Sequence, residues 1–318
     1  MRQLFDDQQA TNERLKSAVD KRIQGCKSSR WHYESRLKEL PSFALKLETG
    51  RFYDPKNLED FFACMIVVSN STEITNAEKI ICEQFLLDSK RPARPDQTHK
   101  TPDHFPFDDL RLYLKLRPDP ALPATDLNDI VFELQIKTFL QHAWSIATHD
   151  LIYKTDDVNW SKQRIAFQTK AMLEHAELTI QEAERLAESP SLAKEDLRTA
   201  LTKEMIAVLK RQWPKEELPK DVRRLAENLQ ALLYRLKMKP TEFEAILETG
   251  KGARSGHHPT NLSPYSTAIQ YLLSHDKDRI SALLKEAPRP RAMKVLVATE
   301  IDLPSDLNRT ELLSAIFI

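Results

Sequence analysis

Residues 129–154 read DIVFELQIKTFLQHAWSIATHDLIYK, and the change of period inside this stretch decides the fold. Phe132, Leu134 and Ile136 alternate with Glu133, Gln135 and Lys137. A period of two marks a strand with one face in a core. From Phe139 the period changes, and Leu140, Trp144, Ile146 and Leu151 can share a broad helical face, with His142 and His149 near its edges. The spacing therefore predicts a strand running straight into a helix, with a carboxylate, an amide and an amine in a row on the strand's free face. Spacing alone allows two readings of Glu133. One is a solvated face of an antiparallel sheet; the other is a nucleotide site in which Glu133 is a metal ligand or general base.

Two more segments show the same alternation. In 31–38, Trp31, Tyr33, Ser35 and Leu37 oppose His32, Glu34, Arg36 and Lys38. In 109–116, leucines at 110, 112, 114 and 116 oppose Asp109, Arg111, Tyr113 and Lys115. FFACMIVV at 61–68 reads as a buried strand directly after Asp60. Pro41 suits the first turn of a helix closed near Gly50, with Ser42 and Lys46 one turn apart and no capping residue before it. Amides at such an uncapped start can accept phosphate or water. A helix is expected over 8–24, and Thr75 with Glu78 predicts a capping box for another ending at Phe85. Segments 89–107 and 118–129 read as long proline-bearing loops.

Beyond Lys154 the pattern is helical only, with helices expected over 160–188, 193–213 and 221–237. In the last, Val222, Leu225, Leu229, Leu232 and Leu236 form a stripe that must be buried. Residues 250–259, GKGARSGHHP, read as a linker. The expected division is an α/β domain over 1–155 and a helical domain over 156–318 that packs on itself or on another copy.

Composition narrows the function. Lys plus Arg and Asp plus Glu number 47 each, so no global field draws the chain to nucleic acid or membrane. Three scattered cysteines, Cys26, Cys64 and Cys82, have no metal spacing and suit a reducing compartment. The longest apolar run is too short for a bilayer and no secretory signal is evident, so a cytoplasmic protein is expected. Only five glycines are present, none between Arg51 and Thr249, which excludes a Walker loop or dinucleotide fingerprint there. Nucleotide binding would rest on side chains and helix ends.

Arg36-x-Lys38-x-x-x-Ser42-x-x-x-Lys46, then Asp60, then Glu133-Leu134-Gln135-Ile136-Lys137-Thr138, then Trp144 and His149 resemble the synthetase domain of RelA/SpoT-type alarmone synthetases. The resemblance covers roughly residues 30–154. It implies a mixed sheet of nucleotidyltransferase-like type with flanking helices, and transfer of pyrophosphate from ATP to the ribose 3′-hydroxyl of GDP or GTP. It further implies Arg36 near the adenine, Lys38, Ser42 and Lys46 on ATP phosphates, and Asp60 and Glu133 on Mg²⁺, Glu133 also acting on the acceptor hydroxyl. Phe107, Arg111, Gln135, Lys137 and His149 would form the acceptor side. Two departures stand out. Met65 occupies a position where the family has arginine, and 107–111 reads Phe-Asp-Asp-Leu-Arg where the family has Tyr-x-Ser-x-His. A tRNA 3′ end is therefore an alternative acceptor, for which Lys90, Arg91 and Arg94, or Arg289 and Arg291, offer a basic surface, and a catalytically weak nucleotide-binding protein is a third reading. Members of this family are often oligomers, so self-association through the helical half is expected.

Overall fold

A computed structural model describes residues 1–50, 58–94, 110–118, 126–149, 158–287 and 293–318. They fall into two compact units, Met1–Leu192 and Ala193–Ile318.

The first unit is built on a five-stranded mixed sheet in the order β1-β2-β5-β4-β3. The strands are β1 (His32–Leu37), β2 (Phe62–Val68), β3 (Phe85–Arg91), β4 (Leu110–Leu116) and β5 (Phe132–Thr138). Only β2 and β5 pair in parallel; the other pairs are antiparallel. The alternation of the sequence becomes the two faces of this sheet. Phe62, Cys64, Ile66, Val68, Leu112, Leu114, Phe132, Leu134 and Ile136 form one core with Leu15, Val19 and Ile23 of α1 (Arg2–Cys26) and Ala77 and Ile81 of α3 (Ile74–Gln84). The opposite face carries the polar residues. α2 (Leu40–Leu47) follows β1, with Pro41 in its first turn and Gly50 beyond it at φ +67, a left-handed conformation that suits glycine.

α4 (Phe139–Ala147) begins where β5 stops. Thr138 ends the strand and caps the helix. Its hydroxyl accepts from the Gln141 amide at 3.1 Å, and the Gln141 side chain accepts from the Thr138 amide at 2.9 Å. This reciprocal pair satisfies two donors of the first turn and fixes the strand-to-helix switch. Trp144 anchors α4, donating from Nε1 to the Ala166 carbonyl at 2.9 Å with Lys170 over its ring. Ile146, expected on the same buried face, is 63% exposed, because two residues turn a helix by roughly 200°. Leu151 lies outside the described residues.

Several expectations change. The box of Thr75 and Glu78 does not cap α3. Its start is instead a 3₁₀ turn, Ser71–Glu73, capped by Asn70, which accepts from the Thr72 amide at 3.1 Å. Residues 89–91 are not loop but the end of edge strand β3, which emerges directly from α3. The helix Trp160–Gln181 belongs to the first unit, beyond the boundary expected at 155/156. It is tied there through Ala166 and through buried Glu177, which accepts from the Ser71 amide at 3.1 Å.

Among its described residues the second unit is helical except for a small parallel pair, Val295–Val297 with Ala315–Phe317, where the sequence pattern predicts helices only. The stripe on helix Val222–Leu236 is internal. Leu225, Leu229, Leu232 and Leu236 are buried with Met205, Leu209, Phe243, Leu272 and Leu284, and Val222 packs against them. It therefore cannot serve as the expected surface for self-association. Leu229→Ala should lower the stability of this unit by about 2–5 kcal/mol, read by thermal melting, without changing the molecular mass seen by light scattering. The segment expected as a linker is partly helix, since Pro240–Gly252 runs through both of its first glycines. A Cβ at Gly250 would stand 2.5 Å from the Tyr271 ring, so close packing requires glycine there. His258 stacks on Trp213 at 4.2 Å, and burial, with Lys251 nearby, pushes its pKa down to about 4. Both features are structural. Among the described residues no helix is long and apolar enough to cross a membrane.

Candidate active site

The register of the sheet sets the site. Pairing aligns Arg36, Ala63, Glu133, Tyr113 and Ser89 in one row across the five strands. The next row is Glu34, Met65, Gln135, Arg111 and Arg91, and a third is His32, Val67 and Lys137. Residues in register on neighbouring strands point to the same face. Arg36 and Glu133, nearly a hundred positions apart in sequence, thus share the polar face, as the resemblance implies.

A cleft of about 690 Å³ opens on this face. Arg36, Met65, Gln135 and Lys137 line it from the sheet, with His142, Ile146 and His149 opposite. Arg36, Gln135, Lys137 and His149, which the resemblance places on donor and acceptor sides, therefore meet in one space. Met65 fills the position between Glu34 and Gln135 with an apolar side chain. Burial holds the His142 pKa below its ordinary value, Glu34 opposing the shift and Lys137 reinforcing it.

Glu133 is only 7% exposed and is surrounded by donors. Tyr113 donates from its hydroxyl to Oε2 at 3.2 Å and Gln135 donates from Nε2 to Oε1 at 2.5 Å. The Arg111 guanidinium stands 4.0 Å from Oε2. Arg91 lies over the Tyr113 ring at 5.0 Å, extending the group of cations to the edge strand. Burial raises the Tyr113 pKa, and the negative charge of Glu133 adds to it, so its hydroxyl stays a donor. Alternation puts Tyr113 on this face, but nothing in the sequence gives it a role. Its place beside Glu133 follows from β4–β5 register alone.

Asp60 sits in the turn before β2. Lys38 donates to its Oδ2 at 2.9 Å, and Lys46, one turn after Ser42 on α2, donates to the same oxygen. Burial raises the Asp60 pKa, but the bonds and charges of Lys46 and Lys38 outweigh it, and the carboxyl lies below its ordinary value. The two lysines assigned to phosphate thus meet at the carboxylate assigned to metal.

Asp60 Oδ1 is buried and has no hydrogen-bond partner. A buried carboxylate oxygen without a donor is costly unless a ligand completes it. Two carboxylates with hard oxygen donors fit Mg²⁺ in kind. Asp60 Oδ1 is an oxygen that a hard cation of this kind would satisfy.

Other expectations end elsewhere. Lys90 points to the helical side of the sheet and donates to Glu78 Oε1 at 2.6 Å, so it adds nothing to a basic surface beside the cleft. Phe107, Asp109, Arg289 and Arg291 lie outside the described residues.

Residues 35–158 match the family model described as a region found in RelA / SpoT proteins. Solved structures similar to the chain include a GTP pyrophosphokinase family protein from Streptococcus pneumoniae, at 18% identity and a TM-score of 0.40, covering 59% of this chain and 94% of that one. Small alarmone synthetase 1 from Bacillus subtilis is 15% identical at a TM-score of 0.42, covering 57% and 94%. Small alarmone synthetase 2 from the same organism is 15% identical at 0.44, covering 57% and 97%. No curated protein matches the chain.

Proposed function

We propose that the first unit, with a RelA/SpoT-type region at residues 35–158, transfers the β,γ-pyrophosphate of ATP to the 3′-hydroxyl of GDP or GTP. The observation that carries this reading is the convergence of Arg36, Gln135, Lys137 and His149 in one cleft on the face that also presents Glu133. That arrangement needs three sequence-distant motifs to agree in register, which a merely solvated sheet face does not require.

Pyrophosphoryl transfer asks a protein for positioning and charge neutralisation more than for covalent chemistry. Arg36 lies against the donor's adenine end. Lys38, Ser42 and Lys46 receive the triphosphate, the lysines exchanging Asp60 for phosphate oxygens. Asp60 and Glu133 would hold Mg²⁺, which would neutralise developing phosphate charge. Glu133 takes the proton of the acceptor 3′-hydroxyl as its oxygen forms a bond to the β-phosphorus. The bond from that phosphorus to the bridging oxygen of the α-phosphate breaks, and AMP leaves. Arg111, Gln135, Lys137 and His149 place the acceptor, with Phe107 available to stack on its base.

The acceptor side differs from the family pattern at Phe107, Asp109 and Arg111, and hydrogen bonds discriminate between bases more sharply than stacking does. This favours testing a tRNA 3′ end as second acceptor. A competition assay with γ-labelled ATP and equal GDP, GTP, ADP, ATP and bulk tRNA should place label chiefly on GDP and GTP. Label on tRNA alone would move the assignment to the tRNA end, and no labelled acceptor would leave a nucleotide-binding protein without transfer.

A further inference from the structure

Three metal-ligating side chains meet at the rim of the cleft and have no part in the transfer described above. His32 and Glu34 are two residues apart on edge strand β1 and so share its polar face. His142 reaches them from α4. His32 Nε2 lies 3.0 Å from Glu34 Oε1, and the two imidazole rings are 6.0 Å apart between centroids. One nitrogen of each histidine and one oxygen of Glu34 all lie within 4.8 Å of one another. A His–Glu hydrogen bond accounts for two of these groups. It does not account for a second imidazole, brought to the same point by a different element.

Ligand atoms around a tetrahedral ion with bonds near 2 Å stand about 3.3 Å apart, so the set has to contract by about 1.5 Å at most. His32 and Glu34 side chains are 47% and 56% exposed and have the freedom to make that adjustment. The donor set also selects the ion. Two imidazole nitrogens and one carboxylate suit a borderline cation, whereas Mg²⁺ prefers oxygen alone. Lys137 acts electrostatically on His142, and the Glu34 carboxylate offsets its charge.

We propose that His32, Glu34 and His142 form a second cation site, for a divalent transition metal of the Zn²⁺ class, separate from Asp60 and Glu133. Three protein ligands leave a fourth position for water or for an anionic oxygen of a molecule in the cleft, which Glu34 and His142 also line.

The test is titration of the full chain with Zn²⁺, and with Co²⁺ followed by visible absorption, with Mg²⁺ in large excess to occupy the carboxylates. The wild-type chain should bind one equivalent that the double variant His32→Ala/His142→Ala lacks, and each single variant should weaken it by roughly tenfold or more. Glu34→Gln should weaken it too, while His175→Ala, on the helix Trp160–Gln181, should retain it. All these side chains lie at the surface or half-buried, and far-ultraviolet circular dichroism should show every variant folded. Unchanged stoichiometry and affinity in the double variant, or no Zn²⁺ bound by the wild-type chain, would overturn the assignment.

Discussion

Glu133→Gln should lower pyrophosphoryl transfer by about 10²–10⁴-fold, the range that removal of a general base commonly produces, with a further loss if metal is no longer held. The substitution keeps the shape of a side chain that is buried in the middle of the sheet. An amide oxygen can still accept from the Tyr113 hydroxyl, but the amide nitrogen would face the Gln135 donor, so one hydrogen bond is lost. That costs about 1 kcal/mol, a small shift in melting temperature beside a large loss of turnover. Steady-state kinetics at saturating ATP and acceptor, with a thermal melt on the same preparation, separate the two effects. Turnover near the wild-type value with any acceptor would remove Glu133 from the chemistry.

The second large effect concerns the cluster around Asp60. Replacing both Lys38 and Lys46 by alanine leaves a mostly buried carboxylate with neither oxygen paired by these donors. Removing the partners of a fully buried charge costs roughly 3–5 kcal/mol; with these side chains still partly reached by water, about 2–3 kcal/mol is expected at neutral pH. Adding Asp60→Asn should restore most of that stability, because the stranded charge is gone, and should restore none of the activity. The sign with pH is fixed by the lowered Asp60 pKa. In the wild-type chain its contribution is fully present above the unfolded carboxylate value and is lost as pH falls through the folded one, so the stability gap between wild type and double variant should close in acid. Equal destabilisation of the double and triple variants would show that the lysines stabilise through packing rather than charge.

The parts of this architecture that could be read in the sequence are those where one residue's neighbours state its environment. Strands β1, β4 and β5 alternate cleanly because one face is core and the other polar, and the ELQIKT run passes straight into a helix. β3 leaves no clean alternation to read, because its apolar start continues α3 without a break and its register shifts between Leu87 and Ser89. The helix Trp160–Gln181 carries no apolar stripe that points to the first unit, because apart from Ala166 the residues it buries are polar. Lys170 and Glu177 face the first unit, whereas Ile165 and Met172 are exposed. The stripe of Val222–Leu236 announced that it would be covered but not by what; the answer is its own unit. The strands Val295–Val297 and Ala315–Phe317 are three residues each, too short for a period to show.

The candidate site divides in the same way. The resemblance to RelA/SpoT-type synthetases, carried by short motifs of polar residues, pointed to Arg36, Lys38, Lys46, Asp60, Glu133, Gln135, Lys137 and His149. Tyr113 and Arg91 reach Glu133's surroundings only through strand pairing, and the direct contact of Lys38 and Lys46 with Asp60 depends on how β1, α2 and the turn before β2 come together. Such contacts arise from tertiary register and leave no local trace.

In the proposed reaction pyrophosphate, rather than a single phosphate, leaves ATP under the control of Glu133. Incubation of the full chain with α-labelled ATP, Mg²⁺ and GDP or GTP distinguishes these directly, because the label stays on the departing nucleotide. Labelled AMP is expected, formed one for one with 3′-pyrophosphorylated acceptor, dependent on that acceptor and lost in Glu133→Gln. Labelled ADP as the product, or AMP formed at the same rate without acceptor, would contradict it.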